Sequence, residues 1–285
     1  MNPGENSTLG KHLVEGTELK VMPTVAQRVI QMVNGDTATA EQLERVLIGD
    51  PGLTATILRI ANSPYYGLPK EIRTISMAIV VLGFKTLRRI VLAAATRNIY
   101  TNPGPEEQRL WEHSLGVAIA CRECCRKRKL ITPDEAFIAG LFHDIGKVII
   151  NNLEPRKYRL ILTKIAKTGR PFEELAKKLV GLSQQELGSM LIRNWQIDDD
   201  IALALSQAAT PPVVLTERWQ LLLALLHVGE YACQFLGIGY EQPDEQVEVG
   251  RYPAMAPLGL SEQELNSLIE EVDKTFAIEK AFFAY

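Results

Sequence analysis

Nearly every apolar segment of this chain repeats at helical spacing and opens on a helix-start residue, which leaves little room for a fold built on a sheet. Asp50-Pro51 joins a capping side chain to a proline at the first helical position, and Leu53, Ile57, Leu58 and Ala61 then share one face. Asn62-Ser63-Pro64 stops that helix. Thr39 with Gln42 makes a capping box ahead of Leu43, Val46 and Leu47, Pro23 suits a first helical turn, and Ser261 with Glu264 caps a last helix through Leu265, Leu268 and Val272. Gly83 separates two apolar helical stretches, with Phe84, Leu87, Ile90 and Val91 on the buried side of the second. From Gly237 to Pro257 glycine and proline are too frequent for a regular element, so a long loop is expected. Strand signals are scarce. The predicted class is all-α.

With 285 residues, 46% of them hydrophobic, the chain can bury one large core or two modest ones. Tyr100-Thr101-Asn102-Pro103-Gly104-Pro105 is the best linker, and it divides an N-terminal helical subdomain, 1–105, from a second helical subdomain with its C-terminal helix, 106–285. Cys121, Cys124 and Cys125 share a helix face and, with Cys233, suit core packing of reduced thiols better than a disulfide framework or a zinc site. The basic run Arg126-Lys127-Arg128-Lys129 is a solvated helix end. A DNA-reading pair of helices around Gly83, with Lys85, Arg88 and Arg89 toward phosphate, is the weaker reading. At a formal net charge of -3 nucleic acid is not an expected partner. The N-terminus lacks the basic and apolar regions of a signal peptide, and His227 and Glu230 interrupt the apolar run at Leu221, so a cytoplasmic protein with no membrane span is expected.

The run Ile138-Ala139-Gly140-Leu141-Phe142 leads into His143-Asp144-Ile145-Gly146-Lys147, where an imidazole and a carboxylate stand side by side in a segment that reads as buried. A charged group in a core must be paired, coordinated or neutralised, and imidazole with carboxylate is a common shell for a hydrolytic divalent metal. His113 projects from a helix marked by Leu110, Val117 and Cys121. Glu230 falls in a segment apolar nearly all round and needs a partner there. These four are expected to converge. His227 reads as a packed neighbour of Glu230, and Lys147 as either a solvated charge or a group facing phosphate.

The order His113, His143-Asp144, Glu230 is similar to that of the HD superfamily of metal-dependent phosphohydrolases, with Glu230 where those enzymes carry Asp. The segments Leu19-Lys20-Val21-Met22-Pro23, Asp50-Pro51-Gly52-Leu53, Ile60-Ala61-Asn62-Ser63-Pro64-Tyr65-Tyr66-Gly67 and Ala78-Ile79-Val80-Val81-Leu82-Gly83 resemble the HDOD family, the HD-related output domain of bacterial signalling proteins. The resemblance implies an N-terminal helical bundle packed on a degenerate HD-like bundle. Ser183-Gln184 stands where that family often has Asp-His, and Ala208-Ala209 where it often has His-His. What remains is a residual site for at most one divalent metal ion, held by His113, His143, Asp144 and Glu230. The implied function is a non-catalytic regulatory module with a signalling protein as partner, with or without a small ligand, and no catalytic residue is assigned. The alternative is a phosphodiesterase using the residual site, with Lys147 offsetting phosphate charge. Tyr65, Tyr66 and the linker are the expected binding surface.

Overall fold

A computed structural model describes residues 24–35, 39–63, 71–97, 99–100, 104–128, 131–208 and 214–282. Among these residues there are thirteen α-helices and no strand. Pro23, Tyr65, Tyr66, the linker's residues 101–103, Lys129 and Ala209 lie outside them. Two compact units divide the chain, one of Lys20–Ile99 with Asp273–Tyr285 and one that includes Tyr100–Val272.

The first unit contains α1 (Thr24–Asn34), α2 (Ala40–Leu47), α3 (Pro51–Ala61) and α4 (Ile75–Arg97). Its helix starts follow the local chemistry of the sequence. Thr39 Oγ1 accepts from the Gln42 N–H at 3.2 Å while Gln42 Oε1 accepts from the Thr39 N–H at 3.0 Å, and Asp50 Oδ1 accepts from the Leu53 N–H at 3.0 Å. Gly83, at φ 79° and ψ 161°, breaks α4 into two helical stretches. The break falls where it was expected, but one residue of the second stretch is corrected: Phe84, directly after the glycine, is 38% exposed, whereas Leu87, Ile90 and Val91 are buried. Arg89 is buried too, with an Nη1 4.0 Å from Glu279 Oε2, so it is withdrawn from any surface that reads phosphate.

The second unit holds α5 (Pro105–Arg128), α6 (Pro133–Phe142), α7 (Ile145–Leu153), α8 (Pro155–Thr168), α9 (Phe172–Val180), α10 (Gln184–Asn194), α11 (Asp199–Ser206), α12 (Arg218–Leu236) and the start of α13 (Glu262–Phe282). Helix α5 packs against both α6 and α12. Small residues make this possible. A Cβ on Gly140 would lie 2.6 Å from Ala118 Cα, and one on Gly229 would lie 2.7 Å from Val117 Cγ1, so both neighbours approach α5 more closely than any side chain allows. Cys121, Cys124, Cys125 and Cys233 are buried thiols outside any disulfide, and burial pushes Cys124 up to about 12, which makes it an inert packing group. The basic helix end is tied down locally: Lys127 Nζ donates to Ser267 Oγ at 2.8 Å, and Arg128 donates to Gly259 O and Glu264 Oε2. The predicted loop after α12 is not wholly irregular. Val249–Arg251 and Pro253–Leu258 form short 3-10 helices, the second opened by a proline whose fixed φ suits a tight first turn. No helix of the described residues is long and apolar enough to cross a membrane.

Candidate metal centre

The second unit brings His113 from α5, His143 from the end of α6, Asp144 from the α6–α7 junction and Glu230 from α12 to one point. Their donor atoms all lie within 4.8 Å of one another. His113 Nε2 and His143 Nε2 are 3.2 Å apart, and they stand 3.4 and 3.1 Å from the two oxygens of Glu230 and 3.8 and 3.5 Å from Asp144 Oδ2. His113 and Asp144 are therefore neighbours in the cluster and not a hydrogen-bonded pair.

The ring orientations follow from the other nitrogens. His143 Nδ1 lies 2.6 Å from Gly140 O and His113 Nδ1 lies 3.3 Å from Ile238 O. A carbonyl only accepts, so each Nδ1 carries a hydrogen and each Nε2 turns its lone pair into the cluster, which is the orientation of a metal-ligating histidine. Two bare Nε2 atoms at this distance repel each other and the carboxylates do the same, so the arrangement favours positive charge among them, whether a divalent ion or protons on the imidazoles. The spacing suits one ion. Ligand atoms about 2.1 Å from a tetrahedral metal are about 3.4 Å from each other, close to the separations here. Among the described residues a second ion has no comparable shell, because Gln184 offers an amide and Ala208 offers nothing.

In the absence of a metal the protons do this work. Burial alone lowers the imidazole pKa of His113, but Glu230 outweighs it and lifts the value from 6.5 to about 10. His143 is raised in the same way, against burial, by Asp144 and Glu230. Burial raises the carboxyl of Glu230, yet the two imidazoles hold it well below the usual range. Lys147 completes the cluster. Its Nζ donates to Asp144 Oδ2 at 2.6 Å, and this attraction overcomes burial to keep the ammonium charged. The lysine is thus bound to the cluster's own carboxylate.

Sequence reasoning missed two participants, Tyr240 and Glu173. Tyr240 donates from its Oη to Glu230 Oε2 at 3.2 Å and sets its ring edge-on to His113. The signal for it was Gly239, read only as a helix breaker: at φ 80° a Cβ there would lie 2.3 Å from His113 Cβ. Glu173 on α9 and the buried Gln184 at the start of α10 stand beside Lys147. His227, by contrast, is a packed neighbour with Nδ1 accepting from the Ala254 N–H at 3.2 Å. Two cavities flank the cluster, one of about 470 Å³ bounded by Arg109, Tyr158, Phe172 and Tyr240, the other of about 520 Å³ bounded by Gln184, Leu205, Ala208 and His227. Asp144 and Lys147 line both.

A family model described as the HDOD domain matches residues 19–211. The chain belongs to the HDOD family. Solved structures similar to this HDOD chain include an HDOD domain protein of unknown function from Geobacter sulfurreducens, 23% identical, with a TM-score of 0.77 over 99% of this chain and 98% of that one. Another is a Shewanella amazonensis SB2B protein named only provisionally as a phosphohydrolase, 24% identical, with a TM-score of 0.72 over 97% and 98%. Both share the helical fold. An uncharacterised protein of Treponema pallidum (strain Nichols) is 19% identical over 188 residues, which is 65% of this chain but only 36% of that protein.

Glu173 gives the HDOD cluster a measurable pH dependence. Burial raises its carboxyl, partly offset by Lys147, from 4.5 to about 7. Between those values the folded state keeps a proton that the unfolded state has released, so this group's contribution to stability falls as pH rises through the window. Glu173→Gln retains the oxygen that accepts from the Gln184 N–H and removes the charge. It is expected to stabilise the protein by about 1–2 kcal/mol at pH 8 and by almost nothing at pH 5, read by denaturant titration at both pH values. An equal effect at both would contradict the burial of this carboxyl.

Proposed function

We propose that this HDOD chain is a signal-transduction module that performs no chemistry of its own and acts through a protein partner. The observation that carries the reading is the state of the cluster's open side. Lys147 is committed to Asp144 at 2.6 Å, and Gln184 and Ala208 line the space where further metal ligands would be needed. A helical bundle that keeps the geometry of a hydrolytic centre without its full shell has lost catalysis before it loses fold, since packing and ligation depend on different atoms. The four buried cysteines, none of them in a disulfide, support a reducing compartment, the cytoplasm, for this module.

A metal-dependent phosphohydrolase remains the second reading, favoured by the near-tetrahedral spacing of His113, His143, Asp144 and Glu230. These four would hold a divalent ion, and the ion would supply Lewis-acid polarisation of a phosphoryl group.

The experiment that separates the readings is a phosphodiesterase assay on cyclic nucleotides and cyclic dinucleotides with added manganese, magnesium or iron, alongside metal analysis of the purified protein. Turnover at background level is expected for the wild type and for His143→Ala alike. Turnover well above background that disappears in His143→Ala overturns the regulatory reading in favour of the enzyme.

A further inference from the structure

Helix α8 carries a run of positive charge that the chain itself does not balance. Between Pro155 and Phe172 stand six cations, Arg156, Lys157, Arg159, Lys164, Lys167 and Arg170, and no acidic residue, in a protein whose formal net charge is -3. Helical periodicity gathers Arg156, Arg159, Leu160, Lys164 and Lys167 on one face, and all five are exposed. The two remaining cations are paired, Lys157 with Glu154 at 3.1 Å and Arg170 with Glu174. The basic end of α5 is likewise held, by Ser267, Gly259 and Glu264. On the α8 face, by contrast, the side chains of Arg156, Arg159, Lys164 and Lys167 have neither a carboxylate nor another acceptor among the described residues. Arg156 with Arg159 and Lys164 with Lys167 are like charges one turn apart and repel each other, a repulsion that an anionic surface would relieve. Leu160, 42% exposed, sits in the middle of them.

The composition of the face selects among anionic partners. Lipid is disfavoured because the apolar side of α8 is already in the core: Tyr158 and Ile161 are buried, so the helix has no apolar face to lay into a bilayer. A phosphate backbone leaves Leu160 without an apolar neighbour, and no aromatic side chain stands on this face for a base to stack on. An acidic amphipathic helix meets both features, since its carboxylates recur with each turn, as the cations do, and its apolar residues cover Leu160. The inner side of α8 connects this face to the metal centre. Tyr158, Leu162 and Ile165 line the cavity of about 470 Å³ beside the cluster, so a partner outside and an occupant inside act on one helix.

We propose that the outer face of α8 docks an acidic amphipathic helix of a partner protein, with carboxylates on Arg156, Arg159, Lys164 and Lys167 and an apolar side chain on Leu160. The inference rests on the regulatory reading and supplies the chemistry of its partner. From Arg156 to Lys167 the face is about 16 Å long, the scale of a transient signalling encounter.

The probe is a helical peptide of about 16 residues with glutamates flanking a leucine stripe, compared with a counterpart in which every glutamate is glutamine. Titrated into the full chain at low salt, the acidic peptide should bind saturably, shift the amide resonances of α8, and weaken as added salt screens the charges. The glutamine peptide should bind at least about tenfold more weakly. Lys164→Glu combined with Lys167→Glu should lower the affinity for the acidic peptide by about tenfold or more, and Leu160→Ser by about threefold to tenfold. The circular dichroism and thermal midpoint of the wild type should persist in both, because all three positions are exposed. Arg45→Glu combined with Lys85→Glu makes the same change of net charge at other exposed helical positions and should leave the affinity unchanged. No saturable binding of the acidic peptide up to the millimolar range, or equal losses in the two double variants, overturns the docking surface. Tighter binding of a duplex oligonucleotide or of phosphatidylglycerol vesicles, with the same dependence on Lys164 and Lys167, overturns the assignment to a protein partner. Phosphodiester turnover together with the expected peptide profile would remove only the regulatory reading.

Discussion

Gly146→Ala is expected to destabilise the protein by about 3 kcal/mol or more, seen as a large drop in the denaturant midpoint or as failure to accumulate folded protein. The added Cβ would lie 2.0 Å from Gln184 O, 2.7 Å from its C and 2.8 Å from its Cα. All three are backbone atoms, so no rotamer change relieves the overlap. Helix α7 would have to move away from the start of α10, taking Asp144 and Lys147, which flank the glycine, with it. Gly250→Ala is the control: a Cβ there meets nothing within 4 Å, and a change within about 0.5 kcal/mol is expected. If the two variants unfolded at the same midpoint, the close packing of α7 on α10 would be wrong.

Asp144→Ala should cost about 3–5 kcal/mol, because it leaves the Lys147 ammonium without its carboxylate and removes one of the two anions facing the imidazoles. The reverse change is predicted to be milder. In Lys147→Met, Asp144 is 2% exposed but keeps His143 at 3.5 Å and His113 at 3.8 Å, so a loss of about 1–2 kcal/mol is expected. The double variant should recover part of the Asp144→Ala loss, as a coupled pair does in a double-mutant cycle. The pH dependence has a definite sign. Burial raises the Asp144 carboxyl, but Lys147 and His143 hold it below its ordinary value of 3.8, so its stabilisation is present above that value and is lost as pH falls through the lower folded value. Additive effects of the two substitutions would show that Lys147 and Asp144 are not coupled.

The helical class and most helix starts were legible in the residues because they depend on groups three or four positions apart. Thr39 with Gln42, Asp50 with Leu53 and Ser261 with Glu264 form their caps within one turn, so no distant contact is needed to specify them. The four donors were legible for a related reason: a charged or imidazole side chain on an otherwise apolar helix face has to find a partner. Phe84 departs from the expected pattern: it shares the spacing of Leu87, Ile90 and Val91 on the stretch after Gly83, but as the residue directly following the positive-φ glycine it is left 38% exposed.

What the sequence by itself determined is the set of local and family-level features: helices, caps, and the His113, His143-Asp144, Glu230 series. Tertiary structure alone decided how that series is completed. Lys147 turns back onto Asp144, Tyr240 reaches Glu230 from the turn after α12, and Gln184 meets Glu173 from the next helix. The physical reason is range. A cap is formed by groups already held together by the chain, whereas the partner of a buried charge or amide depends on which helices approach one another, and here that approach is set by the small residues Gly140, Gly146 and Gly229 at the crossings.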